Sequence, residues 1–115
     1  MALLLILALG CLWPPPAWGQ PEVGSATDAD PSGAKLFALH CAGCHVHGGN
    51  IIRRGKTLKL AALERNGITG PEMIARIAAE GIGQMGGYAA ALGSGGPEMV
   101  GDWVWQQAQN AWIQG

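Results

Sequence analysis

Cys41 and Cys44 stand three positions apart and His45 follows at once, in the run Cys41-Ala42-Gly43-Cys44-His45. Two thiols at this spacing, with an imidazole beside the second, are the groups that bond haem to a protein and ligate its iron. Each thiol adds to one vinyl group at the ring edge, and the histidine is then fixed beneath the metal as an axial ligand. Three cysteines and three histidines scattered at random over 115 positions would give this pattern about once in a thousand arrangements. Two other chemistries use a Cys-x-x-Cys pair, a redox dithiol and half of a zinc site. A zinc site needs two further ligands, and His40 and His47 lie too close in sequence to complete a tetrahedron. A thioredoxin-like dithiol needs a strand leading into it, whereas the residues before Cys41 carry helical periodicity.

The position opposite His45 decides between electron transfer and ligand chemistry. The side chains able to fill it are His40, His47, Met73, Met85 and Met99. His40 and His47 would have to cross the ring edge with almost no slack, which leaves them as surface or loop histidines. Met73 and Met99 fall at helical apolar positions, where a methionine ordinarily packs in a core. Met85 sits instead in the glycine-rich run Gly81-Ile82-Gly83-Gln84-Met85-Gly86-Gly87, whose backbone can approach a large flat group closely. It is the strongest candidate for the sixth ligand, against the alternative of a methionine filling a gap in a small core.

Helices must position these groups. Asp30-Pro31-Ser32 starts one, with Gly33, Leu36, Phe37 and His40 on one face leading into the cysteines. Gly33 is small enough for another helix to cross closely. A loop follows from Val46 to Gly55, then a short helix over about Lys59 to Arg65, capped by Thr57 and ended by Asn66-Gly67. Thr69-Gly70-Pro71-Glu72 starts a third helix carrying Met73, Ile74, Ile77 and Ala78, which Gly81 stops. The last begins near Gly96-Pro97-Glu98 and runs to about Trp112, with Met99, Val100, Trp103, Val104 and Ala108 inward. There is no repeat and no strand pattern. The expected fold is all-α, three to four helices around one cofactor.

Residues 1–19 resemble an export signal: an apolar run from Ala2 to Leu12, a break at Pro14-Pro15-Pro16, and small residues at Ala17 and Gly19. The run is short for a membrane span, and no Lys or Arg precedes Lys35. A retained anchor and lipidation at Cys11 are the alternatives. Residues 20–30 form a flexible acidic lead, and 31–115 the domain. Beyond the signal the only cysteines are Cys41 and Cys44, and 17 of the 19 glycines lie there. So small and glycine-rich a chain has little core of its own, and a haem would supply the rest.

From Gly33 to Trp112 the sequence resembles the class I c-type cytochromes, and within them the soluble photosynthetic carriers of the c6 type. The likeness rests on Gly33-Ala34-Lys35-Leu36-Phe37, the Cys41–His45 motif, Gly48-Gly49-Asn50, Lys56-Thr57-Leu58, the Gly-x-Gly-x-Met loop at 81–85, and Trp103-Val104-Trp105-Gln106-Gln107-Ala108. It implies a class I cytochrome c fold and one haem c. The haem would be held by thioethers at Cys41 and Cys44, with iron ligated by His45 and Met85. Asn50 and Lys56 are candidate haem contacts, and the resemblance implies terminal helices that cross with Gly33 and Phe37 against Trp103. The implied role is a monomeric, non-enzymatic carrier, exported to the thylakoid lumen or periplasm. It would pass one electron at a time between membrane complexes, from cytochrome b6f to photosystem I or a cytochrome oxidase. Three positions depart from the family pattern. Arg54 occupies the place of a proline whose carbonyl accepts a hydrogen bond from the ligand histidine, Gly86 follows Met85 where proline is common, and Ala91 replaces a docking arginine.

Charge is placed unevenly along the chain. Arg53, Arg54, Lys56, Lys59 and Arg65 are five of the seven basic residues, and Glu64 is the only acid among them, within a net charge of −1. A charge run is usually a solvated face. This one follows the haem motif directly, which suits it to steer a partner with an acidic surface. If Met85 were not a ligand, an open iron would suit a haem sensor or peroxidase-type protein. Without haem the chain would be a small dithiol or metal-binding module.

Overall fold

The computed structural model describes Gly10 and residues 31–113. The expected signal at 1–19, Gly10 apart, and the acidic lead at 20–30 lie outside the described residues. Five α-helices follow in order: α1 (Pro31–His40), α2 (Leu60–Arg65), α3 (Pro71–Glu80), α4 (Ala89–Leu92) and α5 (Gly96–Gln109). Two 3₁₀ turns, Val46–Gly48 and Arg54–Lys56, lie between α1 and α2. Among the described residues there is no sheet, only an isolated antiparallel bridge between Ile82 and Met85. None of the described helices is long and apolar enough to cross a membrane.

Local chemistry sets the helix ends. Pro71 and Glu72 open α3 and Gly81, at φ 81°, closes it in a conformation that a side chain would resist. Pro97 and Glu98 do the same for α5, entered through Gly95 at φ 74°. The expected cap at Thr57 is not made. Thr57 is extended, and α2 starts after Lys59 with no side-chain cap. The reason lies in Leu58, whose amide is taken by the Gly48 carbonyl at 2.7 Å, so the chain here is tied to the haem-motif loop rather than coiled. α1, α2, α3 and α5 are the helices expected. The extra element, α4, is a single turn of alanines ended by Gly93.

α5 is the spine. Val100, Val104 and Ala108 recur every four residues and are buried, the two valines to 2% and 1% exposure. Burial of each valine stabilises by roughly 1.5–3 kcal/mol. Two glycines let neighbours reach this spine. A Cβ on Gly33 of α1 would lie 2.5 Å from the Met99 carbonyl oxygen and 2.9 Å from Trp103 Cβ. One on Gly101 would lie 2.6 Å from the Pro71 carbonyl oxygen and 3.0 Å from Ala75 Cβ. α1 and α3 therefore pack on α5 at backbone contact. Beside the first crossing Phe37, Trp103 and Trp112 form an aromatic cluster with centroids 4.8–5.6 Å apart in tilted and edge-on arrangements. Each such pair contributes about 0.5–1.5 kcal/mol beyond its burial. Met73, expected in the core, lies at the surface instead, where the Thr69 hydroxyl donates to its sulfur at 3.6 Å.

Candidate functional site

The haem motif continues α1 as a turn. The amides of Cys41 and Ala42 both reach the Phe37 carbonyl, and those of Cys44 and His45 reach the Cys41 carbonyl. The Cys41–His45 turn is thereby anchored to the residue that packs on Trp103. Cys41 is buried, Cys44 exposed, and both are free thiols. Burial, and secondarily the neighbouring Cys44, push the Cys41 thiol above its ordinary pKa.

His45 donates from Nδ1 to the carbonyl of Gly49 at 2.8 Å. A neutral imidazole so engaged leaves Nε2 as its metal-binding nitrogen. This corrects the expected place of that carbonyl, which is Gly49 rather than Arg54. The loop closes locally: His47 at φ 50° and Gly48 at φ 76° turn the backbone left-handed and bring the Gly49 carbonyl back to the ring. Gly48 must be glycine here, because a Cβ would overlap the Trp112 indole.

Asn50 and Lys56 hold the loop that follows. Asn50 Oδ1 accepts from the amides of Ile52 and Arg53 at 2.9 and 2.7 Å, and its amide group donates to the Lys56 carbonyl at 3.1 Å. The Lys56 ammonium donates to Asn66 Oδ1 at 2.8 Å, while Asn66 Nδ2 donates to the carbonyls of Gly55 and Ala62. The loop is stapled to the end of α2. Asn66 was not among the expected site residues. Its position at a helix end, where asparagine commonly caps, concealed its role as a clasp.

Met85 sits half-buried at the base of a tight hairpin, its amide and carbonyl both paired with Ile82 at 2.9 and 3.0 Å. Gly83 turns the tip at φ 56°. Gly87 lies against the carbonyls ending α3, with no room for a Cβ. The loop leads to Tyr88, whose ring stands 6.5 Å from that of His40, the residue before Cys41. The Met85 loop and the cysteine helix therefore meet. His40 is accounted for by this ring contact, and His47 is exposed in its turn.

These residues fit a haem. The motif offers two free thiols and an imidazole with Nε2 to spare, and the side chains next to it are apolar and uncovered. Val46, next to His45, Ile51, whose amide bonds the Cys44 carbonyl, and Ile82, paired with Met85, are 49–67% exposed, apolar area that a porphyrin would cover. Among the described residues no three His, Cys, Asp or Glu side chains gather as a metal site of their own.

No protein-family model matches the chain. A cytochrome c6-like protein of Nostoc sp. PCC 7120 is 38% identical over 81 residues, covering 70% of this chain and 73% of its own. The chain belongs to the cytochrome c6 family. A cytochrome c6 of Synechococcus sp. PCC 6312 is 36% identical over 110 residues, 96% of each chain. The crystal structure of cytochrome c6B from Synechococcus sp. WH8102 superposes with a TM-score of 0.72 at 62% identity, over 75% of this chain and 98% of that one. As a c6-type cytochrome the protein has the all-α class I fold and carries a single covalent haem c. It is an electron carrier rather than an enzyme, works in an exported lumenal or periplasmic compartment, and exchanges electrons with redox complexes.

Proposed function

We propose that the haem is bonded through thioethers at Cys41 and Cys44, and that its iron is held between His45 Nε2 and the Met85 thioether. Asn50 and Lys56 lie beside it in the loop they close, and residues 1–19 act as the export signal. The observation that carries this reading is the His45 Nδ1 to Gly49 hydrogen bond, which fixes the tautomer and leaves Nε2 for iron. When bound, haem c supplies a site that gains and loses one electron. The chain's own residues do the rest. The Phe37-anchored turn holds the ring edge, Gly49 keeps the imidazole electron-rich, and the glycine loop presents a soft sulfur that favours the reduced iron.

For docking, we infer that Arg53, Arg54, Lys56, Lys59 and Arg65 form one basic face. All five are exposed, and four of them follow the His45 loop within a stretch that the Asn50 and Asn66 clasps hold in shape. Such a face steers toward acidic surface on a membrane redox complex, of the cytochrome b6f, photosystem I or cytochrome oxidase kind. The test of the ligand set is a reduced-minus-oxidised absorption spectrum of the exported protein under carbon monoxide. A six-coordinate spectrum that ignores the gas supports both axial ligands, whereas ready carbon monoxide binding would remove Met85 and turn the reading toward a gas sensor.

A further inference from the structure

The His45–Gly49 hydrogen bond lies at one end of a series of contacts that starts beyond α5. After Asn110 the backbone passes through two successive left-handed residues, Ala111 at φ 53° and Trp112 at φ 58°, neither of them glycine. Side chains disfavour that region, so the hook persists only because its surroundings hold it. Trp112 is what they hold. Its ring is buried 5.6 Å from both Phe37 and Trp103, and its Nε1 donates to the Leu58 carbonyl at 3.0 Å. The same indole fills the space over Gly48 that a Cβ would need. The Leu58 amide donates to the Gly48 carbonyl at 2.7 Å, and the next carbonyl, that of Gly49, accepts from His45. One side chain therefore touches both limbs of the loop immediately beside the group that orients the imidazole.

We propose that Trp112 is a positioning residue for His45, acting through the Leu58 and Gly48–Gly49 backbone. By holding that backbone against the ring it sets the strength of the Nδ1–H to Gly49 hydrogen bond, and with it the midpoint potential of the haem. The sign follows from the ligand. A well-aligned bond makes the imidazole more basic and favours ferric iron, so loosening it raises the potential. The proposal rests on the reading of His45 as an axial ligand.

The test uses the holoprotein. Trp112→Phe keeps an aromatic ring and deletes the Nε1–H donor. Trp103→Phe, in the same cluster but packed on Gly33 and Phe37, is the control. In reduced Trp112→Phe the His45 Nδ1–H should exchange with solvent roughly tenfold faster, the scale of one lost hydrogen bond. The midpoint potential should rise while the optical spectrum keeps its form. Trp103→Phe should lower the melting temperature and move neither readout. Unchanged exchange and potential in Trp112→Phe, or equal shifts in both variants, would overturn the proposal. Should Trp112→Phe fail to yield holoprotein, hydrogen exchange of the wild type decides. The Trp112 indole N–H, the Leu58 amide and the His45 Nδ1–H should then open together. An Nδ1–H that outlasts the indole sinks the idea. Failure of the ligand reading looks different, because the wild-type His45 ring protons would lack the large shifts that a haem imposes on its axial ligand.

Discussion

The rings of Phe37 and Trp103 lie 4.8 Å apart at 41°, joining the helix that carries the haem motif to the middle of α5. The pair can meet because Gly33, one turn before Phe37, lets α1 rest on the Met99 carbonyl. Gly33→Val should therefore lower stability by about 1–3 kcal/mol through overpacking against a backbone that cannot move aside. A holoprotein melting temperature equal to wild type would contradict the crossing.

Met85→Ala should open the iron to carbon monoxide or cyanide and lower the midpoint potential, since a thioether favours ferrous iron. Spectroscopic titration and potentiometry check both. If neither changes, another residue is the sixth ligand.

Replacing Cys41 and Cys44 together with alanine should leave a chain without helical circular dichroism. Among the described residues only Leu63, Val100 and Val104 of the larger side chains are wholly buried, a thin core for a domain of this size. A cooperative thermal transition in that variant would show that the protein part folds unaided.

The basic face is tested by salt. Electron-transfer rate to an acidic partner complex should fall as ionic strength rises toward about 0.15 M, where screening acts over roughly 8 Å. Arg53→Gln with Arg54→Gln should flatten that dependence and leave spectrum and potential unchanged. A rate that rises with salt would move docking to the apolar side chains around Met85.

Much of this was legible in the residues. Proline and acid in a first turn marked α3 and α5, Gly81 marked a stop, and the apolar stripe of α5 chose its buried face. Gly33 was found because it sits on an apolar face. Gly101 does the same work against α3 but is not legible in the sequence, because a glycine inside a helical stripe resembles a weak point until its neighbour is known. The hydrogen-bond partner of His45 differs from the one the family spacing suggests, because two left-handed residues close the loop locally on Gly49. Trp112 was expected to continue α5. No glycine announces the hook, whose conformation is imposed by the packing of the indole and is therefore invisible to local propensity.

The hook also imposes an order of events. In a chain exported from its N-terminus, Cys41, Cys44 and His45 reach the far side of the membrane before Trp112, and until it arrives the Leu58 carbonyl lacks its indole donor and Gly48 the ring that packs over it. During that interval the turn around Cys41 and Cys44 would be open on the side that Trp112 later covers, and arrival of the indole would shut the loop, so that export order alone would place haem loading before closure.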